Sequence, residues 1–195
     1  ETQGAADGIV HLTLPQLHPD FGSHYQQAAP ALVRQALLAS SNWVDYPSFD
    51  INQDGVLSNQ ELAVVVIVAG FENAYGGDAA SHPRVWAHQG DTGQVRVQDK
   101  LIPQYALFGE LHQNHVASIG IICHELGHLM LGLPDLYDRN GQSYGIGRWG
   151  LMGTGSWNRT GAYLGDSPAG MIAWSQSQAG FQQSQTIDNE GQYER

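Results

Sequence analysis

His124-Glu125-Leu126-Gly127-His128 places two nitrogen ligands and one carboxylate at a spacing that can hold and use a metal ion. On an α-helix, residues i and i+4 stand one above the other, so both imidazoles can reach a single ion from one rigid element. Glu125 falls close enough to flank that ion without ligating it, where it can take a proton from a water bound there. Imidazole pairs of this kind suit zinc, and the chemistry they suggest is metal-assisted hydrolysis.

Such ligands need a rigid support, and the surrounding residues predict a helix from His115 to Leu131. At about 100° per residue, Ala117, Ile121 and His128 share the face of His124, with Gly120, Gly127 and Leu131 beside them. Val116, Ile119, Ile122, Cys123, Leu126, Leu129 and Met130 cover the rest, so the helix is apolar nearly all round and should be buried. Two histidines and a glutamate in such a place require charged or metal partners. Cys123, the single cysteine, points away from His124 and reads as a small buried hydrophobe.

The helix should stop at Gly132, before Pro134 stiffens the chain ahead of Asp135. Further on, Gly150-Leu151-Met152-Gly153-Thr154-Gly155-Ser156-Trp157 forms a glycine-rich turn around a methionine. Residues 140–165 contain too many glycines for a helix or regular strand, and they predict a structured loop with Met152 as a hydrophobic floor beneath the metal. In these motifs and their order, over about residues 43–181, the chain resembles the immune-inhibitor-A-like secreted metallopeptidases, relatives of the metzincins. The shared marks are the HELGH helix leading into Gly132-Leu133-Pro134-Asp135-Leu136-Tyr137-Asp138, the Leu151-Met152-Gly153 turn, and a Pro-containing helix from Ser167-Pro168-Ala169 through Trp174 to Gly180-Phe181. The resemblance implies that Asp135 is the third zinc ligand, with water in the open position. It also implies a metzincin-like catalytic domain with a buried HExxH helix and a Met-turn.

One departure bears on that ligand. The family spacing puts two residues between the second histidine and the glycine, whereas Leu129, Met130 and Leu131 stand here. An extra helical residue rotates the downstream chain by about 100° and advances it ~1.5 Å. Either a π-bulge absorbs it, or the helix ends later and the loop compensates. Asp138 is the alternative third ligand. Tyr137, Tyr144 and Tyr163 are each close enough in sequence to help stabilise an oxyanion, and the sequence selects none of them.

A second metal site is legible at 50–61. Asp50, Asn52, Asp54, Ser58 and Glu61 supply oxygen side chains at positions 1, 3, 5, 9 and 12 of an EF-hand-like calcium loop. Gly55 falls at the turn, and Val56 would add its backbone carbonyl. Pro47 before the loop and the apolar run Leu62–Ala69 after it differ from a helix-loop-helix sensor. A calcium loop feeding a buried strand is structural rather than regulatory in design.

Composition fits an exported enzyme. The net charge is −11, and Lys100 is the single lysine, which disfavours nucleic acid or an anionic membrane as a partner. One cysteine excludes an internal disulfide, so stability must come from the core and from bound ions. No apolar run reaches membrane-spanning length. The chain starts at Glu1 rather than methionine and carries no signal peptide, which reads as one domain, 1–195, excised from a longer precursor.

Elsewhere the patterning predicts a strand at Ile9–Leu14, a helix at Ala28–Ala39, and short strands at Val85–His88 and Gln94–Val97. The last two would flank a hairpin turn at Gly90–Gly93, with a further extended run at Leu101–Phe108. The mixture is α+β, a twisted mixed sheet backed by helices. The expected function is a secreted, calcium-stabilised, zinc-dependent endopeptidase acting on proteins or peptides. The alternative is a calcium-binding structural or adhesion module with an inactive zinc site. Oligomeric state cannot be read from the sequence.

Overall fold

The longest extended run, Lys100–His112 (β4), is the strand on which the rest of the fold is built. Its side chains alternate between two cores, as a strand's period of two requires. Tyr105 and Leu107 join one cluster, while Ala106 and Phe108 join the other. In the computed structural model, which describes residues 8–76 and 81–183, β4 pairs in parallel with Val65–Glu72 (β1) and antiparallel with His88–Val97 (β3). Arg84–Val85 (β2) adds to β1 in parallel, and His115–Val116 (β5) folds back on the end of β4. The order β2-β1-β4-β3 makes a mixed sheet with β3 at one edge.

Helix Tyr25–Ser40 (α1) covers one face through Ala29, Leu32, Val33 and Leu37. Helix Ile119–Leu131 (α2) covers the other through Ile121 and Leu129. Beyond α2, Leu133, Leu151 and Met152 form a third cluster that joins the helix to the glycine-rich region. No helix among the described residues is long and apolar enough to cross a membrane.

Several sequence expectations shift. Residues 9–14 form no strand. The apolar run predicted at Leu62–Ala69 becomes a strand three residues later, and it is only half buried, with Val65 and Ile67 exposed. Gly90–Gly93 lies inside β3 rather than at a turn. Gly93 and Gln94 take positive φ there, the register slips between Asp91 and Val95, and the Thr92 hydroxyl accepts from the Val95 amide. This is a β-bulge. The chain reverses instead at Gln98-Asp99, both left-handed at φ 48° and 64°, as a two-residue hairpin turn needs. The expected helix at 167–181 shortens to Ala173–Gln178 (α3).

Past the register shift of β1 between Val68 and Phe71, the buried carboxylate of Glu72 accepts from the amides of Ala74, Ala87 and Gly109. It ties β1, the start of β3 and β4 together. Burial pushes this carboxyl up to about 7, with the three amides opposing the rise.

Candidate metal centre

α2 begins later than predicted. His115 and Val116 pair back onto β4, and Ser118, in extended conformation, precedes the first turn. The amide of Ser118 donates to Nδ1 of buried His112 at 3.1 Å, which fixes where the helix starts. Its two glycines lie in close contact with the region below. A Cβ on Gly120 would lie 1.9 Å from the carbonyl oxygen of Ser156, and one on Gly127 would lie 2.7 Å from Sδ of Met152. The methionine-bearing turn therefore presses directly against the helix that carries the histidines.

That turn also aims the first ligand. Nδ1–H of His124 donates to the Leu151 carbonyl at 2.9 Å, and Nδ1–H of His128 donates to the Leu133 carbonyl. A carbonyl can only accept, so each imidazole carries its proton on Nδ1 and presents a lone pair on Nε2. The two Nε2 atoms stand 3.1 Å apart, and Oδ1 of Asp135 lies 3.1 Å from each. Among the described residues these three form the one group of at least three such ligands with donor atoms all within 4.8 Å of one another.

Three acceptors converging on one point repel unless a cation sits between them. Ligands about 2.0–2.1 Å from a tetrahedral zinc stand roughly 3.3 Å apart, close to the spacing here, so donor chemistry and geometry both fit that ion. The local field favours positive charge generally. Burial lowers the His128 pKa, but Asp135, the Leu133 carbonyl and Glu125 outweigh it, and the net shift is upward. Burial likewise raises Asp135, and the proximity of His124, His128 and Arg139 holds it well below the usual carboxylate range.

The extra residue after His128 leaves no π-bulge. α2 continues regularly to Leu131, and Gly132 caps it at φ 62°. The amide of Gly132 donates to the His128 carbonyl at 3.1 Å, the bond of a left-handed glycine cap, and that of Leu133 reaches the Gly127 carbonyl at 3.2 Å. The loop then compensates and returns Asp135 to the histidines. The Leu136 amide pins it by donating to the Met152 carbonyl at 2.8 Å. Asp138 faces its own turn, accepting from the amides of Asn140, Gln142 and Ser143.

Glu125 is buried beside the triad, and its Oε2 accepts from the Gln89 amide of edge strand β3 at 2.8 Å. Burial raises its pKa against the pull of both histidines. Of the three candidate tyrosines, Tyr137 is the one at the centre, its ring lying over His124 at 6.1 Å and 26°. Tyr144 is exposed, and Tyr163 stacks on His115. A cleft of about 700 Å³ opens beside His128, walled by Asn59, Gln60, Gln89, Gln104, Leu133 and Gln178.

The segment 50–61 is folded on itself. Asp50 accepts from the amides of Asp54 and Gly55, Asn52 bonds Asp54, and Asp54 accepts from the Val56 amide. Glu61 accepts from the Ser58 hydroxyl and from the amides of Ile51, Asn52 and Ser58. Lys100 Nζ lies 2.6 Å from Asp50 Oδ2, a contact that the sequence does not predict. Gln89, Arg139 and Glu72 are likewise absent from the sequence expectations. Gln89 acts through its backbone amide, which leaves no trace in residue type.

The sequence matches the family described as immune inhibitor A peptidase M6, catalytic domain, over residues 26–185. The chain belongs to the immune inhibitor A peptidases. No individually curated protein matches it. An immune inhibitor A catalytic domain is a metallopeptidase, a hydrolase of protein substrates, and the mixed sheet with few helices is compatible with that fold.

Proposed function

We propose that this domain is a secreted, zinc-dependent endopeptidase, stabilised by calcium bound at Asp50, Asn52, Asp54, Val56, Ser58 and Glu61. The observation that carries the zinc reading is the convergence of two Nε2 lone pairs and one carboxylate oxygen, with Glu125 alongside. His124, His128 and Asp135 would hold the ion, which supplies Lewis acidity that polarises the scissile carbonyl and acidifies water at the open position. Glu125 takes the proton of the attacking water and passes it to the leaving amine. Burial raises its pKa, which helps the carboxyl hold the proton between the two transfers. The Gln89 amide holds one of its oxygens, so the base is oriented by the sheet rather than by the helix alone. The cleft beside His128 offers room for substrate side chains against a wall of neutral amides.

The calcium reading is supported by the ligand spacing and by Gly55 at φ 80°, the tight turn such a loop requires. The secretion reading rests on the resemblance to secreted metallopeptidases and on the acidic balance, which keeps an exported protein soluble. Zinc content of the purified chain and casein hydrolysis with and without a chelator test the enzyme reading. A zinc-free protein, or hydrolysis indifferent to chelation, would overturn it.

A further inference from the structure

The two oxygens of Asp135 have different partners. Oδ1 faces both histidine Nε2 atoms at 3.1 Å. Oδ2 faces away from them and accepts from Arg139, whose Nε lies 2.9 Å off and whose Nη2 is in contact. The carboxylate is 6 % exposed, whereas the arginine side chain is 73 % exposed, so the guanidinium closes the carboxylate's outer side from the rim. An ion pair this open to solvent contributes little to global stability. What a planar fork adds there is direction.

The local chain is arranged to deliver that fork. Residues 133–138 are not helical, so the four-residue separation of Asp135 and Arg139 is no by-product of helix geometry. Asp138 gathers the amides of Asn140, Gln142 and Ser143 into a turn, and Leu136 is pinned to Met152. Between these two fixed points Arg139 doubles back onto Asp135.

We propose that Arg139 is a positioning residue for the metal centre: by occupying Oδ2 it makes Asp135 a one-oxygen ligand and keeps the fourth position open for water. The inference rests on the zinc reading above. A carboxylate with both oxygens free can bind an ion through both and so fill that position, whereas one with an oxygen held by a guanidinium on its outer side is turned away from doing so. Arg139 thereby also takes up the freedom that the extra residue after His128 introduces into the ligand loop.

The test compares wild type, Arg139→Ala and Arg139→Lys for zinc release into a chelating dye, for the visible spectrum of the cobalt-substituted protein, and for kcat and KM. Arg139→Ala should release zinc about 10- to 100-fold faster, the usual scale for losing a residue that orients a ligand. Its cobalt bands should weaken as coordination number rises, and kcat should fall with KM little changed while the melting temperature holds. Arg139→Lys, which keeps the charge without the fork, should fall between. Zinc release and cobalt bands in Arg139→Ala equal to wild type would overturn the proposal, as would full wild-type behaviour in Arg139→Lys. A wild-type chain that takes up no zinc would overturn the enzyme reading too, so the two failures are distinguishable.

Discussion

The backbone amide of Gln89 and the carboxylate of Glu125 meet at 2.8 Å, joining the edge strand β3 to the histidine helix through the residue assigned as the base. Removing that carboxylate breaks the join and the proton transfer together. Glu125→Ala should retain zinc, because the glutamate does not ligate, and should lose about 10²–10⁴-fold in kcat/KM. Metal analysis beside a peptide-cleavage assay decides the matter, and turnover near wild type would remove Glu125 from the mechanism. In the wild type, burial holds this carboxyl above its ordinary value. Activity should therefore fall, as pH drops, at a higher pH than an exposed glutamate would give.

Asp135→Ala should weaken zinc binding strongly, since it removes one of three convergent donors. Asp138→Ala should act differently. Its carboxylate organises the turn at 138–143 that carries Arg139, so its loss should weaken zinc binding less than Asp135→Ala does, by misplacing Arg139 rather than by removing a donor. Zinc affinity measured for both variants separates the roles, and equal losses would contradict them.

The glycines of α2 give a graded steric test. A Cβ on Gly127 meets the end of a flexible methionine, which can give way, so Gly127→Ala should cost about 1–3 kcal/mol. A Cβ on Gly120 meets the Ser156 backbone carbonyl at 1.9 Å, which a rotamer change cannot relieve. Gly120→Ala should be the more destabilising of the two in denaturant melts, and the reverse order would show that the lower loop is free to move.

His112 makes stability depend on pH. Burial depresses its imidazole to about 4, with His115 adding to the effect, against an unfolded value of about 6.5. Between those values the unfolded chain binds a proton that the folded chain refuses, so stability is full above about 6.5 and declines as pH falls toward 4. Protonation would also remove the acceptor that Nδ1 offers to the Ser118 amide, with Tyr75 and Trp157 packed around the ring. His112→Asn should flatten the decline between pH 6.5 and 4 in thermal melts. An unchanged slope would assign the effect elsewhere.

Calcium should raise the melting temperature at fixed zinc, since an ion bound only by the folded state at a hundredfold excess over Kd adds about 2.7 kcal/mol. Lys100→Met should enlarge the calcium response, because the ammonium group competes for Asp50. Superimposable melts of an initially calcium-free wild type would mean the loop binds no calcium.

The histidine helix is legible in the sequence because spacing and composition there agree: i and i+4 ligands on a segment apolar all round. Its start is not, because Val116 and Ile119 continue the apolar pattern, while the true boundary is set by a hydrogen bond from Ser118 to a histidine in another strand. The β3–β4 turn is hidden because Gln98 and Asp99 adopt left-handed backbone without the glycine or asparagine that marks such turns. Glycines at 90 and 93 give the opposite signal from inside a bulged strand. Asp135 comes from family resemblance, since nothing local shows that a loop carboxylate swings back. Arg139 leaves no pattern at all, because its pairing depends on the path of a non-helical loop.

Both imidazoles take their aim from main-chain oxygens, those of Leu151 and Leu133. Main-chain oxygens are present whatever the side chain. The ligand geometry is thus uncoupled from residue identity at the two positions that define it, and natural variation at 133 and 151 is limited only by how well a side chain fills the apolar space beneath the helix. A lineage could exchange leucine for methionine or isoleucine there and pass on the same reactive centre unaltered. The centre's heritable constraint falls instead on Gly120, where one added methyl group would collide with the backbone of the neighbouring loop.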